Sequence, residues 1–501
     1  MKNSPTKKVV WSILCVLGLW VIYPIIRVGF VLISDPIPED RKIILNESII
    51  NDASGLNETQ HGGVITLVND MNKSITILKN LVEQARAEQT KIIPIGARHS
   101  MGKQSLGEGV IHVDLSALKA MKIEDGLLRV QTGARWKEVL QYLAPLGLSV
   151  EVMQSNADFS IGGTISVNAH GWQPNRPPVS STVKKISLIN ANGEILLCSR
   201  SQNTELFSHA LGGYGLMGII LEAWIKPVPN EILKSSHQIV SYKDFTQEWD
   251  KIKQRPVHLA FGRLSVAPGT FFDQILLTTY ETTNEISKEP AGYETSFKTS
   301  LARAIFRASL NSNRGKSFRQ WMENLIGGEA GGVHSRANLL IEPVRIFTNN
   351  KTGKTDILVE IFLPQEKFAN FIPQAKKLMI NRSDSLLNVT IREIIKDSDT
   401  ALPYAKKNVF GLVILFTIDQ NRGAEKILQN QVNGLIEIAL NLGGTFYLPY
   451  RNFSDGRQLE RGYPEMKNFL AVKKRWDPEG IFSSGFYQYL LSSIDRTETK
   501  P

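Results

Sequence analysis

His99 has the clearest chemistry in the chain. It lies in Gly96-Ala97-Arg98-His99-Ser100, just after an apolar stretch (residues 91–95) that reads as a strand. An imidazole there can attack an electrophile or hydrogen-bond a ring. Gly96 allows a tight turn and close approach to a ligand, and Ser100 adds a hydroxyl donor. A second cluster runs Ser160-Ile161-Gly162-Gly163-Thr164-Ile165-Ser166-Val167-Asn168-Ala169-His170-Gly171. It is small and uncharged before His170, so a pyrophosphate there would be held by backbone dipoles, hydroxyls and an amide rather than by a P-loop lysine. His170 reads as a residue that orders this loop. A third cluster, Leu211-Gly212-Gly213-Tyr214-Gly215-Leu216-Met217-Gly218, has dinucleotide-fingerprint spacing. The Rossmann reading is rejected, because that fingerprint follows a strand and opens a helix. Here a helix-like stretch (203–210) precedes the glycines and a strand-like one (219–225) follows.

These loops need elements to position them. Ile75, Leu78, Leu81, Val82 and Ala85 recur at helical spacing, as do Trp136, Val139, Leu140 and Leu143. Residues 110–114 and 127–132 read as strands, and 185–190 and 194–198 as a hairpin around Asn192-Gly193. A second lobe begins near Pro229, with strands at 259–266, 274–280, 357–363 and 412–418 and helices at 366–380 and 424–441. Residues 300–326 read as one basic amphipathic helix with Arg303, Arg307, Arg314, Lys316 and Arg319. That helix suits either a membrane interface or packing on the second lobe.

The chain has 501 residues and a formal charge of +10. There is no long basic run and no zinc-ligand spacing, so a nucleic-acid partner is not expected. Two cysteines, Cys15 and Cys198, give no disulfide framework, and the histidines show no metal spacing. Lys2, Lys7 and Lys8 precede an uncharged run, 9–26, and Arg27 is followed by a further apolar stretch, 28–33. About 20 residues span a bilayer core, so a single-pass anchor over 1–34 is expected. The lysines place its N-terminus in the cytoplasm and the body outside it, periplasmic in a Gram-negative bacterium. Residues 35–60, with Pro36 and Pro38, read as a linker.

Taken together, Gly-Ala-Arg-His-Ser-Met-Gly-Lys-Gln at 96–104, the segment from Gly162 to Gly171 and that from Gly215 to Ile220 resemble the three flavin segments of the vanillyl-alcohol-oxidase superfamily. Its members include cytokinin dehydrogenases, alditol oxidases and sugar-lactone oxidases. Residues 463–465 and 473–484 resemble its closing segment. The resemblance implies an α+β protein. It would have a two-part PCMH-type FAD-binding lobe at 61–229, an inserted α+β cap at 230–440, and a segment at 441–501 returning to the flavin lobe. It implies FAD held by Gly96, Ala97, Arg98, His99, Ser100, Gln104, Ser105, Asp158, Ser160, Ile161, Gly162, Gly163, Thr164, Ser166, Asn168, His170, Gly171, Gly215, Gly218, Ile219 and Ile220. His99 stands where relatives bond the flavin covalently. No cysteine in 155–171 offers a second link.

The resemblance also implies hydride transfer from a hydroxyl-bearing carbon, with Glu360, Tyr447 and Arg451 as candidate catalytic residues. Glu360 is flanked by Val359 and Ile361. It either faces the flavin or points outward from its strand. The expected substrate is an alcohol, sugar, lactone or lipid-linked sugar, with O2 or a membrane quinone as acceptor. A flavin-dependent C=C reductase and a non-catalytic membrane flavoprotein are the alternatives.

Overall fold

The computed structural model describes residues 22–39, 48–287, 296–326 and 331–498. The first helix, α1 (residues 22–34), holds only the end of the expected anchor, whose residues up to 21 lie outside those described. Among the described residues, no helix is long and apolar enough to cross a membrane.

The first lobe starts with a three-stranded parallel sheet: β1 (Gly63–Thr66), β2 (Ile92–Ile95) and β3 (Ile111–Asp114), in the order β1-β3-β2. Helix α2 (Met71–Glu88) links β1 to β2. Asp70 caps it by accepting the Lys73 N–H at 3.0 Å. Its buried stripe includes the expected Leu78, Leu81, Val82 and Ala85, which close over Ile92, Val113 and Phe482. A five-stranded antiparallel sheet follows, from β4 (Met121–Glu124), β5 (Leu127–Gln131), β6 (Val183–Ile189), β7 (Ile195–Ser199) and β8 (Ile219–Ile225), ordered β7-β6-β8-β5-β4. Asn192-Gly193 turns β6 into β7, with Gly193 at φ 76°. Helices α3 (Trp136–Leu143), α4 (Ile161–Ser166) and α5 (Thr204–Ala210) lie between β5 and β8.

The second lobe is an eight-stranded antiparallel sheet. Its strands are β9 (Ile232–Ser241), β10 (Val257–Leu264), β11 (Gln274–Thr282), β12 (Val333–Ser335), β13 (Lys354–Pro364), β14 (Leu386–Ile394), β15 (Val409–Asp419) and β16 (Thr445–Phe446). They are ordered β12-β9-β11-β10-β14-β15-β13-β16. The last strand extends the cap to Phe446, past the expected boundary at 440, because Ile361 and Phe362 pair with it. Helices 368–379 and 422–441 pack on each other and on this sheet through Phe371, Ile372, Leu435 and Ile436. From there the chain returns to the first lobe. The Ile92 N–H donates to Ile481 O at 2.9 Å and the Ser483 N–H to Ile92 O at 3.1 Å.

Two expectations are corrected. The single helix over 300–326 is two, α6 (Phe297–Ala308) and α7 (Asn313–Ile326), broken at 309–312. The expected linker is in part a packed segment. Residues 49–50 and 59–60 pair as short strands, and Asp52 is fully buried. The Asp52 carboxylate accepts from Ser54 Oγ (2.6 Å), Asn57 Nδ2 (2.6 Å) and the Lys103 N–H (3.3 Å), which ties the segment to the His99 loop. A buried carboxylate with several donors is a fixed point rather than a tether.

Candidate functional site

Three loops meet at the C-terminal ends of β2 and β3 and at the start of β8. Ser160 joins the first two. Its Oγ accepts the Gly163 N–H at 3.3 Å, capping α4, and the Ala97 N–H at 3.4 Å. A Cβ on Gly96 would stand 2.1 Å from that Oγ, so only glycine permits the approach. His99 stacks on Phe159, with ring centroids 4.3 Å apart. The third loop joins the second through Gly212 N–H to Ile165 O (3.0 Å) and Tyr214 N–H to Ser166 O (2.8 Å). Gly215, at φ 73°, fits against Pro94, and Gly218, at φ 139°, against Ile189 O just before β8. This helix–glycine–strand order is the one for which the Rossmann reading was set aside. Four non-glycine residues of these loops, Arg98 (φ 53°), Lys103 (61°), Asn168 (46°) and Tyr214 (55°), hold left-handed conformations. Such strain persists only where the surroundings over-determine the backbone, and it concentrates at ligand sites.

Several of the expected cofactor contacts instead have side chains that brace the loops. Asn168 is saturated: Oδ1 accepts the Ser180 N–H (3.1 Å) and Nδ2 donates to Asp397 (2.9 Å). Asp158 accepts the Val344 N–H at 2.7 Å. Gln104 accepts the Gly102 N–H (2.8 Å) and donates to Leu448 O (2.6 Å). Thr164 accepts from Trp136 Nε1 (2.9 Å) and donates to Gln154 (3.1 Å). Ser100 and Ser105 share a contact of 3.5 Å between their hydroxyls. Ile161 and Ile219 are core residues, as Ile220 nearly is.

The cap sheet brings its own residues to this cradle. Glu360, at the middle of β13, points inward and is 2 % exposed. Its Oε1 lies 2.6 Å from His170 Nε2. A Cβ on Gly411 of the neighbouring β15 would come within 3.2 Å of the same oxygen. Phe362, Tyr404 and Tyr447 surround His170, with ring centroids 5.6–5.9 Å away. The Tyr447 hydroxyl donates to Val167 O (2.9 Å) and that of Tyr404 to Asn168 O (2.8 Å), so both pin the second loop to the cap. Burial pushes both phenols well above their ordinary range, with nearby acidic groups adding to it. They remain donors at any working pH.

The Arg451 guanidinium is already engaged: it pairs with Glu425 and donates to Met101 O at 3.1 Å and Ser54 Oγ at 3.3 Å, clamping the His99 loop. The arginine close enough to act electrostatically on Glu360 is Arg392 of β14, whose Nε is buried without a hydrogen-bond partner. Burial lowers its pKa, while Glu360 and then Tyr450 oppose the shift. Tyr450 is raised by burial first and then by Glu360. Glu360, Tyr447, Tyr450 and Arg451 also line one small cavity of about 20 Å³, room for one water. Arg392 and Tyr450 escaped the sequence reading. The signal for Arg392 was the alternation Val389, Ile391, Glu393 against Thr390 and Arg392, a strand carrying an arginine on a half-buried face.

Glycine-limited backbone, local strain and uncharged donors at three converging loops fit a diphosphate-linked cofactor, with a carboxylate of the second sheet facing the cradle. This is the layout of a two-lobe cofactor-binding protein. Residues 71–199 match the FAD binding domain family, and FAD is the cofactor. The D-arabinono-1,4-lactone oxidases of Candida glabrata (27 % identical over 185 residues), Debaryomyces hansenii (28 % over 197) and Saccharomyces cerevisiae (25 % over 185) are similar over 36 % of this chain and 35 % of their own lengths. The chain thus matches about a third of the length of these relatives. Over this region the chain is similar to FAD-linked oxidases, sugar-lactone oxidases among them.

Proposed function

We propose that the protein is an FAD-dependent oxidase that converts a hydroxyl-bearing carbon of a sugar, lactone or related alcohol to a carbonyl. The observation that carries this is Glu360: a buried carboxylate on a largely apolar strand, set against His170 of the second loop and within electrostatic reach of Arg392. A carboxylate in such a place has a chemical rather than a packing reason. FAD held by the three loops would supply the hydride acceptor, with O2 as the terminal acceptor. Glu360 takes the hydroxyl proton as the carbonyl forms. His170 orients its carboxylate, and Arg392 offsets negative charge developing on the substrate oxygen. Tyr450 is placed beside them to contact a substrate hydroxyl.

His99 is assigned the covalent link to the flavin, supported by its place in the first loop and its stacking on Phe159. Such a bond raises the cofactor's potential and prevents its loss. The uncharged run leading into α1 supports a membrane location for the chain. There a lipid-linked sugar as substrate or a quinone as alternative acceptor would already be at hand. Oxygen uptake and flavin bleaching across a panel of lactones, alditols, sugars and polyprenyl-phosphate sugars test the reading. Substrate-dependent bleaching with peroxide formation is expected. A flavin that no hydroxyl substrate reduces would overturn it.

A further inference from the structure

We propose that the outer face of α1, together with Trp321 of α7, seats on a lipid bilayer with anionic headgroups. This goes beyond the membrane location suggested above by assigning the contact to a folded surface of the body. It rests on that reading only for its choice of occupant.

Helix α1 is apolar on both sides. One side, with Val28 and Val31, packs on Ala304 and Ala308 of α6. The other presents Ile26, Phe30 and Ile33 at 64 %, 63 % and 85 % exposure. In the described part of this helix the one charge, Arg27, is turned to the protein, donating to Ala308 O (3.1 Å) and Leu310 O (2.8 Å). A helix hydrophobic all round belongs in a core or in lipid, not half in water.

On the neighbouring pair α6–α7 four cations turn inward. Arg303 pairs with Asp35 (2.7 Å), Arg307 with Asp356 (3.1 Å) and Arg319 with Glu323 (2.7 Å), while Lys316 donates to Ser383 O. Lys298 and Arg314 stay exposed, as do the apolar Phe297, Trp321 and Leu325. The Trp321 ring lies 5.9 Å from that of Phe318, which packs into the α1–α6 cluster. Phe318 thus joins the half-exposed Trp321 to the apolar cluster that seats α1. Contiguous exposed apolar area of this kind marks a binding surface.

The rim selects lipid over a second protein. Arg314 sits over the Tyr23 ring at 5.6 Å, and Lys351 over Phe30 at 5.6 Å. Each places its cation over an aromatic ring at the edge of the face, a cation–π contact that leaves positive charge there for an anionic headgroup. Of the acids nearby, Asp35 is consumed by the arginines and Asp384 is exposed beyond Asn311. The uncharged stretch that begins at Val9 runs directly into this face, so the surface continues the most lipid-compatible part of the chain.

The test uses the full chain with flavin bound. Vesicles of phosphatidylcholine, with or without phosphatidylglycerol, carry brominated acyl chains that quench tryptophan on contact. Wild type and Trp321→Phe are compared after vesicle flotation, with flavin absorbance reporting that both are folded. The expected result is flotation of both, quenching that is measurably smaller in Trp321→Phe, and stronger quenching with phosphatidylglycerol. Phe30→Asp, with Trp321 retained, should weaken the quenching relative to wild type. Flotation with equal quenching in both proteins would overturn the docking face and leave the membrane location standing. No flotation would overturn both. A concentration-dependent dimer that shields Trp321 without lipid would overturn the choice of occupant.

Discussion

Replacing Glu360 with Gln removes a charge and changes little else, because the amide is isosteric and the site is tightly packed. Glu360 is 2 % exposed, touches His170 Nε2 at 2.6 Å and faces Gly411, where a Cβ would come within 3.2 Å of its carboxylate. A positioned general base contributes about 10²–10⁴-fold to the rate. By the usual conversion that is roughly 3–5 kcal/mol of barrier. The same change weakens the 2.6 Å contact with His170 Nε2 and removes the negative charge that acts on Arg392, so a modest loss of stability should accompany it. The assay is anaerobic stopped-flow reduction of the flavin, with flavin content and thermal midpoint measured on the same preparation. Glu360→Gln should retain flavin, melt slightly earlier and reduce at least about 100-fold more slowly. Glu360→Asp should recover part of the rate. A Gln variant that reduces its flavin at the wild-type rate would refute the assignment of Glu360 as base.

Three further outcomes are expected. His99→Ala should bind flavin that acid precipitation releases, whereas the wild-type pellet stays yellow. Gly96→Ala should lose flavin and about 1 kcal/mol of stability by displacing the Ser160 cap, since its Cβ falls 2.1 Å from Ser160 Oγ; Gly96→Ala combined with Ser160→Gly should regain part of the occupancy. His112 is fully buried with neither ring nitrogen hydrogen-bonded, and burial lowers its pKa from 6.5 to about 4, with His61 and then Arg98 adding to the shift. The unfolded chain therefore binds a proton that the folded one does not. Stability should fall as pH drops from 6.5 through about 4, by on the order of 3 kcal/mol in total. Denaturant titrations across that range should show a flatter profile for His112→Phe.

The sequence by itself determined what depends on local backbone shape. The three small-residue loops, the stripe of α2, the Asn192-Gly193 turn and the helix–glycine–strand order around Gly213–Gly218 are all legible because glycine, caps and periodicity act within a few residues. The cofactor class followed from the family resemblance that those loops carry. Only the tertiary structure decided which side chains meet. Strand pairing and sheet packing bring Glu360 to His170 and Arg392, and no local pattern encodes a contact across so many residues. Arg451 was close in sequence to Tyr447, yet Glu425 and the His99 loop engage its guanidinium. The amphipathic character of residues 300–326 was plain, but its direction was not. Asp35, Asp356 and Glu323 turn the arginines inward, because a buried cation is tolerable only where carboxylates come to meet it.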